Sequence, residues 1–126
     1  YTVYGIPSVF YGDEAGLEGY HDPFCRKPYP WGRENTELLE HYKKLGELRN
    51  IEKAFDRGSF RVIEHNKETI AYERVKDDSR VVVIANGSEN IYRARFEGKW
   101  IDMLSYETFE NFITIFPNSA RILKHL

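Results

Sequence analysis

The sequence of 126 residues is long enough for one ordinary domain, or for one small domain with an appended segment. Hydrophobic residues make up 41% and aromatic residues 15% of it, a composition that excludes a disordered chain. The formal net charge is only −2 and no run of Lys and Arg occurs, which argues against a nucleic-acid partner.

The cysteine and histidine content excludes several further classes. A lone cysteine, Cys25, allows neither an internal disulfide nor a zinc site of paired cysteines. The four histidines lack the spacing of metal ligands, so we expect no metal and no cofactor. No stretch approaches the roughly 20 apolar residues of a membrane span, and we expect no membrane partner. The cysteine content suits a reducing compartment, and we therefore expect a cytoplasmic protein.

Residues 1–33 combine an apolar run with a long loop. The run at 3–11 is typical of a strand buried on both faces, as in a parallel sheet. The chain has no initiator methionine and opens directly on this run, so we expect that the natural protein begins earlier. Residues 12–32 are rich in Gly, Pro, His and Asp. A loop of about 20 residues inside a compact domain usually has a function.

A single helix is predicted over residues 36–50. Asn35 is a suitable N-cap, and Glu37 places a negative charge in the first turn. Leu38, Tyr42 and Leu45 recur at helical spacing and form one apolar stripe. We interpret this segment as a packing helix without a direct functional role.

The rest of the chain reads as β structure. Turn residues separate short strands, and residues 81–84 (VVVI) are apolar on both faces, which predicts a central strand. Strands at roughly ten-residue spacing are typical of an antiparallel β-sandwich. We predict seven of them, at 59–65, 68–75, 80–86, 90–96, 100–105, 111–116 and 119–125.

Several motifs together resemble one enzyme family. Residues 5–14 (GIPSVFYGDE) resemble the eighth barrel strand of the α-amylase family of glycoside hydrolases, family 13, with Phe10 where a tyrosine is common. Residues 19–31 (GYHDPFCRKPYPW) look like the following loop in cyclomaltodextrinases, neopullulanases and maltogenic amylases. The Leu and Tyr spacing of residues 39–49 and the GSF at 58–60 are similar to the helix and strand that come next in that family.

The resemblance implies a mainly β fold class: an antiparallel β-sandwich C-terminal domain, preceded by the last strand, loop and helix of a β/α (TIM) barrel. Residues 1–55 would be the remnant of the catalytic barrel and residues 56–126 the sandwich. The implied enzyme is a retaining glycosidase that hydrolyses α-1,4-glucosidic bonds in cyclodextrins, maltodextrins or pullulan. Its partners would be α-glucan oligosaccharides.

Asp22 and Arg26 are the candidate substrate-binding residues. A carboxylate accepts and a guanidinium donates hydrogen bonds in the geometry that sugar hydroxyl pairs require. Aromatic side chains for stacking on sugar rings lie around them, at Tyr20, His21, Phe24 and Trp31. In the α-amylase family, which this sequence resembles, the Asp and Arg of the Asp-Pro-x-x-Arg pattern bind the glucose unit on the non-reducing side of the cleavage point. The alternative is that the two side chains only pair with each other and brace a turn.

No catalytic residue is assigned. A retaining glycosidase needs a nucleophile and an acid about 5–5.5 Å apart, and none of the family's motifs for these carboxylates occurs in the sequence. Asp13 and Glu14 are adjacent in a segment predicted to be extended, and would therefore point in opposite directions. We therefore expect the 126 residues alone to be inactive. Apolar faces that a whole barrel would cover need another partner. We expect the N-terminal arm either to fold back over the sandwich or to be buried in another copy by self-association.

The alternative interpretation is a stand-alone carbohydrate-binding or structural β-sandwich module. Such a binding module would expose an aromatic platform on its sheet, whereas Tyr92, Trp100 and Tyr106 are more easily placed in the core. The sequence NGS at 86–88 matches a glycosylation sequon but is more typical of a turn.

Overall fold

The computed structural model describes all 126 residues and divides them into two compact units. The first unit contains Tyr1 and Gly5–Leu48, and the second contains Thr2–Tyr4 and Arg49–Leu126. The predicted boundary between domains at residues 55 and 56 stays a prediction, since compact units and evolutionary domains need not coincide.

Helix α1, Thr36–Ile51, is the main element of the first unit. The amide of Leu38 donates to the side-chain oxygen of Asn35 over 3.0 Å, so the predicted N-cap is confirmed. The predicted stripe of Leu38, Tyr42 and Leu45 is half-buried. The helix is neither long nor apolar enough to cross a membrane.

Residues 3–11 form no strand, although the apolar run predicts one. Ile6 is 95% and Phe10 is 74% exposed. A parallel strand receives its hydrogen bonds from neighbouring strands, and the first unit contains no other strand to supply them. The exposed side chains are those on which the expected self-association rests, and that expectation stays a prediction.

The second unit is an antiparallel sheet preceded by a short 3₁₀ turn at Lys53–Phe55. Its six strands have the order β1-β2-β3-β6-β4-β5. They are β1 Ser59–His65, β2 Thr69–Lys76, β3 Ser79–Asn86, β4 Tyr92–Asp102, β5 Thr108–Ile115 and β6 Ser119–His125.

Strand β4 corrects the prediction of seven strands. The predicted strands 90–96 and 100–105 are largely the two halves of this one strand, which ends at Asp102. Its register with β5 shifts between Arg95 and Lys99. At the shift, Gly98 adopts a φ of 96° and donates its amide to the side chain of Asn111 over 3.2 Å. Gly98, which lies between the two predicted strands, therefore belongs to a bulge that bends β4 and not to a turn that ends it.

The bend lets the sheet fold over itself into two layers. The second half of β4 pairs with both β5 and β6, while its first half pairs only with β5. The layers enclose one apolar core, contributed by β2, β3 and β6 on one side and by β4 and β5 on the other. This two-layer packing confirms the mainly β sandwich. The core consists of Ala71, Val82, Ile84, Ala94, Trp100, Ile113, Ile115 and Leu123.

Trp100 is the largest fully buried side chain of this core. The guanidinium of Arg80 lies 5.3 Å from the centre of its ring, and His125 contacts it edge-on at 4.9 Å. Its indole N–H donates to the carbonyl of Glu97 over 3.2 Å. The core placement predicted for Trp100 is confirmed. The same prediction for Tyr106 is wrong because this side chain is exposed in the turn after β4.

Asn86, at the end of β3, is a buried polar residue with only 2% of its surface exposed. Its amide nitrogen donates to the carbonyls of Asn90 and Phe116 over 2.8 and 3.1 Å, and to that of Ile115 over 3.4 Å. Its oxygen accepts from the amide and the hydroxyl of Ser88. The side chain of this sequon therefore holds a turn together and is closed to glycan attachment.

Arg74, on β2, is buried without a carboxylate partner, with 1% of its surface exposed. The rings of Tyr4 and Phe55 lie 5.9 and 5.8 Å from its guanidinium carbon. Burial lowers the pKa of the guanidinium, and the charge of Arg49 lowers it further. The residue fastens the segment Thr2–Tyr4 and the turn before β1 to the sheet. It donates, over 3.0 to 3.4 Å, to the carbonyls of Thr2, Phe55, Gly58 and Ser59.

Candidate functional site

The loop of residues 12–33, in the first unit, carries the candidate site. Arg26 Nε donates to Asp22 Oδ1 over 2.6 Å, and Arg26 Nη2 donates to Asp22 Oδ2 over 2.8 Å. Backbone hydrogen bonds from Phe24 to His21 and from Arg26 to Pro23 fold the intervening segment into tight turns. The structure thus brings the two predicted residues together as a bidentate pair.

The pair is open to solvent, with 60% of the Asp22 and 74% of the Arg26 side chain exposed. Such an exposed ion pair contributes at most about 1 kcal/mol to stability. Asp22 Oδ1 also accepts from the Cys25 thiol over 3.8 Å, whereas Oδ2 accepts only from Arg26 and keeps an acceptor position. The guanidinium keeps unused N–H groups, because arginine has five donors. The pair can therefore brace the turn and still bind a pair of neighbouring hydroxyl groups.

The same loop carries two groups of aromatic rings. Tyr20, His21 and Phe24 contact one another edge-to-face, with centroids 6.0 and 6.1 Å apart. Trp31, which is 80% exposed, lies 4.5 Å from the ring of Tyr29. All four aromatic residues predicted from the sequence lie on the loop surface. These rings offer apolar faces of the kind on which sugar rings stack.

Tyr29 is a loop residue that the sequence prediction missed. Its ring contacts the rings of both Trp31 and Tyr11, and the centroids of Tyr29 and Tyr11 are 6.2 Å apart. Burial raises the pKa of the Tyr29 phenol, and the charges of Glu14 and Glu34 raise it further, so the group stays neutral. The alternation of Tyr29, Pro30 and Trp31 was the available signal, because residues two apart in an extended chain share a side.

Polar contacts fasten the loop at both ends. Lys27 Nζ donates to the carbonyl of Glu18 over 2.8 Å, and the Tyr11 hydroxyl donates to the carbonyl of Lys27 over 3.3 Å. The amide of Asn35 donates to the carbonyl of Ala15 over 3.0 Å. Nearby, Asp13 and Glu14 lie in the 3₁₀ turn Asp13–Ala15, so the extended conformation predicted for them is wrong. No three His, Cys, Asp or Glu side chains are arranged to hold a metal ion.

Similarity to known proteins identifies the family to which the chain, including this loop, belongs. No protein-family model matches the chain. The cyclomaltodextrinase of Thermoanaerobacter pseudethanolicus is 34% identical over 131 aligned positions, which cover 98% of this chain and 23% of the relative. The chain belongs to the α-amylase family of glycoside hydrolases. Neopullulanase 2 of Thermoactinomyces vulgaris, 37% identical over 68% of the chain and 15% of its own length, is a further relative.

Solved structures agree with this α-amylase family assignment. A cyclomaltodextrinase structure superposes with a TM-score of 0.87 at 25% identity, over 98% of this chain and 24% of that one. An α-amylase from Geobacillus thermoleovorans, complexed with acarbose, also gives 0.87 over 98% of the chain and 30% of its own length. At 21% identity it supports the fold alone. The chain spans about a quarter of the length of the Thermoanaerobacter cyclomaltodextrinase and a smaller share of neopullulanase 2.

Proposed function

We propose that the chain is the C-terminal part of a retaining glycosidase that hydrolyses α-1,4-glucosidic bonds in cyclodextrins, maltodextrins or pullulan. The observation that supports this most is the 34% identity to a cyclomaltodextrinase over nearly the whole chain. In the proposal, residues 1–55 would form the last strand, loop and helix of a β/α barrel in the complete protein, and residues 56–126 are the sandwich. A cytoplasmic location is part of the proposal and is supported by the lone cysteine.

The proposed catalytic nucleophile and acid belong to a part of the protein outside these 126 residues. A retaining mechanism needs two carboxyl groups about 5–5.5 Å apart, one on each side of the scissile bond. In a β/α barrel such groups come from the ends of several strands, and this sequence supplies the motif of only one. The contribution of this chain would therefore be substrate binding and support of the fold.

The isolated chain is expected to show no hydrolysis of cyclodextrin, pullulan or maltotriose above the uncatalysed rate. Reducing-sugar release by the purified chain tests this. Activity that follows the chain through successive purification steps, at a constant specific value, would contradict the proposal that the catalytic groups lie elsewhere.

We propose that Asp22 and Arg26 bind the glucose unit on the non-reducing side of the cleavage point. Their fork is exposed, keeps free donor and acceptor positions, and belongs to a loop that also exposes two groups of aromatic rings. Loops that follow barrel strands line the substrate face of such enzymes, which supports this placement.

Asp22→Ala or Arg26→Ala, made in the complete enzyme, is expected to lower kcat/KM for maltooligosaccharides about tenfold. This corresponds to roughly 1–2 kcal/mol, the size expected for a lost hydrogen bond to a charged group. The melting temperature should stay the same because the pair is exposed. Glu40→Ala is a matched control, since Glu40 forms a similarly exposed ion pair with Lys43 on helix α1. Unchanged kinetics in both loop variants would show that the pair only braces the turn.

A further inference from the structure

A groove of about 530 Å³ lies on the second unit, at one end of the sandwich. One wall is the turn between β1 and β2, and the other is the connection between β3 and β4. Its volume falls within the roughly 300–1,000 Å³ of small-molecule sites. The residues that give it its chemistry are Asn66, Lys67, Glu68, Asn90, Ile91 and Tyr92.

The two walls are fixed before any ligand arrives. The amide of Gly87 donates to the carbonyl of Glu68 over 2.7 Å and joins one wall to the other. The side-chain oxygen of Asn66 accepts from the amides of Glu68 and Thr69, both over 2.8 Å. The buried contacts between Asn86 and Ser88 hold the second wall. A preformed site loses little conformational entropy when it binds.

Several polar groups of the groove have no partner within the chain. The side-chain amide of Asn90 and the ammonium of Lys67 make no hydrogen bond, and neither does the carboxylate of Glu68. The amide of Asn66 still has both N–H groups to donate. Because Lys67 and Glu68 cancel in charge, the groove suits a neutral ligand with several hydroxyl groups better than a phosphate or a cation.

Apolar surface accompanies these polar groups. Ile91 is exposed, and the ring of Tyr92 is half-buried beside it. The Tyr92 hydroxyl donates to Glu64 over 2.7 Å. Burial, followed by this contact with Glu64, raises the pKa of Tyr92 to about 12, so the phenol stays neutral. A pyranose ring has the matching shape, with an apolar face and a rim of hydroxyl groups.

We propose that this groove is a second α-glucan-binding site, separate from the Asp22 and Arg26 loop. The choice of α-glucan as the ligand rests on the proposed function, whereas the choice of a neutral sugar rests on the groove itself. Such a site would hold a polysaccharide chain near the enzyme without contributing to bond cleavage. Because the groove is open and shallow, we expect weak binding, with a dissociation constant on the order of 1 mM.

The test uses the full 126-residue chain carrying Asp22→Ala and Arg26→Ala, so that the proposed loop site cannot contribute. Maltotriose is titrated while amide resonances are followed by NMR, with cellotriose as the comparison ligand. Shifts are expected at residues 66–69 and 88–92. Asn90→Ala combined with Ile91→Ser should weaken binding about tenfold, the effect of roughly one hydrogen bond plus one apolar contact. Glu89→Ala, an exposed neighbour that does not line the groove, should leave it unchanged.

Each other outcome overturns the inference. Absence of shifts in the groove, or shifts that persist unweakened in the Asn90 and Ile91 variant, would show that the groove is not a sugar site. Equal binding of cellotriose would refute the α-glucan assignment. None of these results would bear on the loop, whose role is measured by the kinetics of the complete enzyme.

Discussion

Asn86→Asp is expected to leave the sandwich largely unfolded at neutral pH. The new carboxylate would face the carbonyl oxygens of Asn90, Ile115 and Phe116, which now receive the amide hydrogens of Asn86. One carboxylate oxygen would keep its donors from Ser88, but the other would have none, and a buried anion compensated only in part costs about 4 kcal/mol. A single core of about 70–80 residues supplies only about 3–5 kcal/mol. Thermal and urea unfolding followed by circular dichroism would measure the loss.

The loss should depend on pH in a defined direction. Burial and the three carbonyls favour the protonated carboxyl, so its folded pKa would lie above the unfolded value of about 3.9. Stability is then kept below the unfolded pKa and lost as the pH rises through the folded pKa. The deficit of Asn86→Asp should therefore be smallest near pH 4 and grow towards pH 7.

Asn90→Asp is the control for this pH dependence because the Asn90 side chain is exposed and makes no hydrogen bond. It should unfold like the unmodified chain across the same pH range. A deficit in Asn86→Asp that does not change with pH would mean that the carboxyl escapes to solvent and that the turn around Ser88 rearranges.

Local patterns in the sequence were enough to predict most of the fold. Strands β1, β2, β3 and β6 lie within one residue of their predicted bounds, since turn residues flank them and their apolar positions fit a pleated strand. The predicted elements are wrong where contacts between residues distant in the sequence determine whether a strand forms or continues. Gly98 reads as the end of a strand, but the contact of its amide with Asn111 keeps β4 continuous. The run at 3–11 has the composition of a buried strand but lacks the partners that would make it one.

The loop site and the groove also differ in how far the sequence alone predicts them. Asp22 and Arg26 are four residues apart within one loop, so their proximity could be predicted from the chain alone. The groove brings together residues 66–69 and 88–92, whose meeting depends on the pairing of β2 with β3. No local spacing signals such a site. Tyr92 was expected in the core, whereas its half-buried ring lies beside polar groups from the other wall.

Arg74→Met is expected to destabilise the second unit by about 3 kcal/mol. Methionine can fill much of the apolar space of the arginine stem, but it leaves four carbonyl oxygens without their donor, at Thr2, Phe55, Gly58 and Ser59. A buried polar group without a partner costs about 1–3 kcal/mol, and the effects of neighbouring groups are not additive. For a unit of this size the melting temperature should fall by roughly 10–20 °C.

The position of the donors, and not the charge alone, explains this effect. The guanidinium reaches four carbonyls because its five N–H groups point outward from one plane, whereas a lysine ammonium concentrates three donors at one point. Arg74→Lys should therefore recover only part of the loss, and Thr2 and Tyr4 should become accessible to protease in both variants. Arg93→Met, at an exposed position of β4, is the control and should melt normally. If Arg74→Lys were as stable as the unmodified chain, a buried positive charge would be sufficient, and the fit of the guanidinium to the four carbonyls would not matter.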